Sequence, residues 1–242
     1  MIIFSDFQWI GNIQVALFTP NFSFLTPRVL SEVFQINPGA FDGDPVVLPL
    51  PEDAPVDVPR IILQTKDGTG KFEASPARIN YHRIRRGMDD SFDAQEFVSA
   101  AADFCIEYLR RTKAECGRVA AILNRFAFND HPGKEIANHF CKQEFLDAPF
   151  DSPKEFQIHS LKSYRFKDVF QINSWVRVKS ARLSIPGEER RQVITVEQDI
   201  NTLSELMAER SYDLEEIGLF YSEISSEFDS ILRMYFPAEN KV

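Results

Sequence analysis

Val169-Phe170-Gln171-Ile172-Asn173-Ser174-Trp175-Val176-Arg177-Val178-Lys179 decides the fold. Phe170, Ile172, Val176 and Val178 fall on one side of a two-residue period, and Gln171, Asn173, Arg177 and Lys179 fall on the other. That is the pattern of a β-strand with one apolar and one wetted face. Arg191 to Ile200 repeats it, with Ile194, Val196 and Ile200 opposing Thr195, Glu197 and Asp199. With Glu155 to Phe166, and with the first stretch continued to Ile185, three long strands of an antiparallel sheet wetted on one side are expected.

The apolar side of such a sheet needs a cover, and the residues that follow supply one. Asp213 and Glu216 form a capping box, and Leu214, Ile217, Tyr221, Ile224, Phe228, Ile231 and Tyr235 recur at three-four spacing. This predicts a long helix lying across the sheet. The alternative, an intermolecular coiled coil, has only about three heptads to draw on.

Upstream the same order of elements recurs. Ile13 to Phe18 reads as a strand, and Thr26-Pro27 opens a short helix over Arg28 to Gln35. Residues 37–59 hold six prolines, so a long extended loop is expected, packed through Val46, Val47, Leu48 and Val56. Arg60 to Thr65, Lys71 to Ala74 and Arg78 to Ile84 are strands, the first two joined by a hairpin at Asp67-Gly68-Thr69-Gly70. Asp93 and Glu96 then open a helix that buries Phe97, Ala101, Phe104 and Tyr108 and stops at Gly117. Arg118 to Phe128 is a strand apolar on both faces, and a short helix from Lys134 to about Lys142 follows.

The expected class is therefore α+β, with two units of a mainly antiparallel sheet packed by a long helix. Residues 1–148 form an N-terminal unit and 149–242 a C-terminal unit of three strands and the long helix, the boundary marked by Pro149 and Pro153. Three strands followed by a helix opened by Asp-x-x-Glu in each half is the order a divergent duplication would leave.

Composition narrows the function classes. Of 242 residues, 44% are hydrophobic and 26% charged, which is enough apolar surface for a folded core. Phe outnumbers Tyr and Trp by 22 to 6 and 2, which assigns most rings to the interior. A net charge of -9 repels phosphate backbones and anionic headgroups, so nucleic acid and membranes are poor partners. The exception is the run Arg78, His82, Arg83, Arg85, Arg86, answered by Asp89 and Asp90, which reads as a strand end with a solvated face. Cys105, Cys116 and Cys141 are odd in number and widely spaced, as in a reducing compartment. Residues 1–10 lack a basic segment leading an apolar one, and a cytoplasmic protein is expected.

Reactive groups are few. His131, His139 and Cys141 lie close in sequence, but their spacing matches no zinc pattern, and no Gly-x-Ser-x-Gly elbow is present. Gly68-Thr69-Gly70-Lys71 lacks the glycine gap and following hydroxyl of a phosphate loop. No cofactor, metal or catalytic residue is assigned. Ile61-Ile62-Leu63-Gln64-Thr65-Lys66-Asp67-Gly68, then Arg78-Ile79-Asn80-Tyr81 and the closing helix with Phe220 to Phe236, resembles a sporadically distributed prokaryotic family of uncharacterised proteins. The resemblance implies a bacterial or phage-related cytoplasmic protein and brings no activity or site residues with it.

The functional expectation is a non-catalytic adaptor or assembly protein, with a protein partner that includes a second copy of itself as a homodimer. Its surface is the polar face of the second sheet, with Trp175, Arg177, Lys179, Asn173 and Glu197. The alternative is a small-molecule-binding protein or enzyme with a pocket between sheet and long helix.

Overall fold

Strand periodicity builds the sheet, and side-chain caps at Asp93 and Asp213 open the two long helices. The structure, a computed structural model, describes residues 2–51, 53–90, 93–146, 151–184 and 189–238. In chain order the elements are β1 (Trp9–Phe18), α1 (Thr26–Ile36), β2 (Val46–Val47), β3 (Ile61–Gln64), β4 (Gly70–Ala74), β5 (Arg78–Ile84) and α2 (Ala94–Thr112). There follow β6 (Arg118–Phe128), α3 (Pro132–Phe140), β7 (Gln157–Phe166), β8 (Phe170–Leu183), β9 (Arg191–Thr202) and α4 (Leu214–Tyr235). The α+β class is as the sequence indicates.

The strands form one sheet where the sequence suggested two. Its order is β2-β3-β4-β5-β1-β6-β9-β8-β7, and every neighbouring pair is antiparallel. The seam is β6, which pairs with β1 on one side (Val15↔Ala121) and with β9 on the other (Ala121↔Ile200). Strand pattern alone carries no information about which polar edge meets which, so this join was invisible in the sequence.

Among the described residues, the four α-helices pack on one face. On that face Ile13, Val15, Leu17, Phe72, Ile79, Val119, Leu123, Ile172, Val178, Val196 and Ile200 are buried in one continuous core. The α4 stripe reaches them through Ile217, Tyr221, Ile224, Phe228 and Ile231, all buried, so it is consumed within the chain and is not a coiled-coil seam. Asp213 and Glu216 make the reciprocal cap. Burying a Phe or Ile side chain contributes about 2 kcal/mol, so this stripe is a principal fixing of α4 to the sheet.

Two local expectations are corrected. Val46, Val47 and Val56 are 41%, 44% and 60% exposed, and the loop is instead anchored by Phe41, whose ring lies 5.3 Å from Tyr81 and 5.9 Å from Phe72 and Phe104. One aromatic ring seated in a cluster holds a proline-interrupted segment that has no periodicity to read. And α2 ends at Lys113, which takes the left-handed conformation (φ 60°) and returns its N–H to the Leu109 carbonyl. Gly117 serves a different need: a Cβ there would lie 2.1 Å from the Met207 carbonyl oxygen.

Candidate functional site

Alternation along the strands divides the sheet into a face covered by helices and a face that, among the described residues, no helix covers. The register places on the open face Lys71 and Glu73 of β4, Arg78, Asn80 and His82 of β5, Gln14 of β1, and Arg118 and Ile122 of β6. It continues across Arg191, Glu197, Asp199 and Asn201 of β9, Asn173, Trp175, Arg177 and Lys179 of β8, and Leu161 and Arg165 of β7. The five residues singled out in the sequence therefore lie on one surface.

Charge is distributed unevenly on it. The open-face strand positions carry seven Lys or Arg (71, 78, 118, 165, 177, 179, 191) against three acids (Glu73, Glu197, Asp199), a surplus of four cations on a chain whose total is -9. Whole-chain charge conceals this partition. Each acid is already engaged: Glu73 lies 2.5 Å from Lys71 Nζ and 3.3 Å from His82 Nε2, Glu197 2.5 Å from Arg177 Nη1, and Asp199 accepts from Asn201 at 2.8 Å. The His82 ring, with Lys71 beside it, holds the Glu73 carboxyl down to about 2 against the opposing effect of burial.

The face is cross-braced. Gln14 donates to Asn80 at 2.9 Å, Arg118 donates to Asn201 at 2.8 Å and to the Thr202 carbonyl at 2.9 Å, and Ser163 donates to Asn173 at 2.5 Å. Arg177 stacks 5.0 Å from the Trp175 ring centroid, and Arg118 4.5 Å from that of Phe18. At one end Trp9, Phe126 and Phe128 cluster under Arg85 (5.2 Å) and Arg191 (3.5 Å). Such bracing fixes side chains before any partner arrives and so lowers the ordering entropy lost on binding. Arg78 Nε is buried with no hydrogen-bond partner among the described residues.

No protein-family model, curated protein or solved structure matches this chain.

The other sequence candidates are dispersed. His139 Nε2 lies 2.7 Å from the Tyr235 carbonyl with its ring against Phe140 and Phe236, while His131 precedes α3 and Cys141 follows it. Among the described residues no three His, Cys, Asp or Glu side chains group as metal ligands. The basic run is divided by alternation: Arg78 and His82 join the open face, whereas Arg83 turns to the other and meets Asp90 at 2.6 Å. Gly68 (φ 66°) makes the hairpin turn, where Asp67 accepts from the Thr69 amide at 2.9 Å. Burial pushes the Cys105 thiol far up and the Cys116 thiol to about 12, which makes both poor nucleophiles.

The space between α4 and the sheet is filled by rings, with Phe220 6.1 Å from Phe166 and 5.4 Å from Phe170. A cavity of about 690 Å³ opens instead beside the start of α3, lined by His131, Lys134, Lys154, Arg182 and Gln192 among others. Among the described residues no helix is long and apolar enough to cross a membrane. Trp175 is half-buried by its strand neighbours; the proline-rich loop leads into β2, at the opposite edge of the sheet.

Proposed function

We propose that this chain is a non-catalytic protein-association protein of a prokaryotic cytoplasm, and that it docks an acidic surface of a protein partner on the open face of its sheet. The observation that carries the reading is the surplus of four cations on a braced face, covered by no helix among the described residues, of an otherwise acidic chain. Arg and Trp are the side chains that dominate binding at protein interfaces, and Trp175 with Arg177 stands within that face. Complementary charge speeds encounter and rejects wrong partners. Free Cys105 and Cys116 fit a reducing compartment. We read a divergent duplication with its boundary ahead of β6 rather than at Pro149: strand, short helix, three-strand meander and long helix run in that order from β1 to α2 and again from β6 to α4, leaving aside the two-residue β2.

The test uses the full chain as bait in extracts of its own host. Wild type should retain a discrete protein that the variant Trp175→Ala/Lys179→Glu loses, with the melting temperatures of the two baits unchanged. Retention by both baits refutes the reading. So does tight binding of duplex or single-stranded DNA at about 150 mM salt, which would assign the cations to phosphates.

A further inference from the structure

The two edges of the sheet are built differently. One ends in β2, only two residues long and flanked by Pro45 and Pro49, which is how an edge is made unfit for further pairing. The other ends in β7, ten residues without proline or glycine, in unbroken register with β8 from Gln157↔Lys179 to Phe166↔Phe170. Among the described residues no strand pairs with its outer side.

Antiparallel geometry says which groups point outward. The Ser180 amide donates to the Phe156 carbonyl at 3.1 Å, so bonded pairs with β8 fall on even-numbered residues. The N–H and C=O groups of Gln157, His159, Leu161, Ser163 and Arg165 therefore face away from the sheet. Leu161, at the middle of this row, is 47% exposed.

We infer that two copies of this chain pair edge to edge through β7, antiparallel, about a twofold axis at Leu161. In that register Leu161 meets Leu161 of the second copy, Ile158 meets Tyr164, His159 meets Ser163, Gln157 meets Arg165 and Ser160 meets Lys162. Outward-facing backbone groups meet outward-facing groups throughout, giving about ten interchain hydrogen bonds. The aliphatic and aromatic residues face one another, and no two like charges are opposed. Shifting the axis one residue to Lys162 sets two ammonium groups directly opposite, and shifting it to Ser160 sets Lys162 against Ile158. An axis between residues mismatches the backbone groups. Lysine guards many sheet edges, and at Leu161 alone does the self-pairing leave Lys162 opposite a small polar side chain. Residues directly opposite share a face, so the open faces of both copies lie on the same side and merge.

The pairing is independent of the acidic-partner reading, and its test is separate. Light scattering at tens of micromolar should give twice the chain mass of 27.8 kDa for wild type and the single mass for Ser163→Pro, which removes an amide that β8 does not use and that an edge strand can spare. In a Cys141→Ser background, Leu161→Cys should oxidise to a disulfide-linked dimer, since opposed Cα atoms stand about 5.5 Å apart, whereas His159→Cys should not. A monomeric wild type, a dimer unaffected by Ser163→Pro, or cross-linking at His159→Cys and not at Leu161→Cys overturns the inference. A monomer that still captures its partner through Trp175 and Lys179 overturns the pairing alone.

Discussion

Tyr221 of α4 donates its hydroxyl proton to the carbonyl of Ala16 on β1 at 2.7 Å, joining residues 205 apart in sequence. The same oxygen lies 3.2 Å from the Ala120 carbonyl on β6, so one buried hydroxyl fixes the second-half helix to both central strands. Tyr221→Phe keeps the ring and removes this link, leaving a buried carbonyl short of a donor. A loss of about 1–2 kcal/mol is expected, read from the urea midpoint at unchanged m value.

Arg125 is buried on the helix face, where its guanidinium donates to Asp229 at 2.5 Å and to Gln198 at 3.1 Å. Burial lowers its proton affinity, and Asp229 restores part of it. Removing only the acid, in Asp229→Ala, should therefore destabilise by about 1–3 kcal/mol, less than for a fully buried pair because Asp229 is half exposed. Arg125→Met in the Asp229→Ala background should recover part of the loss, as apolar replacement of a buried pair commonly does. Denaturation of the two variants side by side checks the order.

Glu73 sets an acid limit on the open face. Its carboxyl is held at about 2 in the folded chain against an ordinary 4.5, so it stabilises fully above 4.5, and that stability is lost as pH falls toward 2. Melting temperature measured from pH 6 to 3 should fall more steeply for wild type than for Glu73→Gln, with the two curves converging at the acid end.

The long strands and both capped helices were legible because each is a local repeat: period two through Phe170 to Lys179, and three-four spacing through Ile217 to Ile231. The seam between β6 and β9 was not, since pairing of residues as distant as Ala121 and Ile200 leaves no local mark. The candidate face was half legible. Trp175, Arg177, Lys179, Asn173 and Glu197 fall together by alternation on two consecutive strands. Arg78 and Arg118 reach the same face only through strand order, and a total charge of -9 hides what they add.

Photo-cross-linking in the native host tests the open face most directly. A benzophenone side chain at Lys179, on that face, is compared with one at Met234, 65% exposed on α4 on the covered side. A discrete protein adduct from position 179 and none from 234 is the predicted result. Adducts from 234 alone, or equally from both, contradict the assignment of the sheet face as the partner's seat.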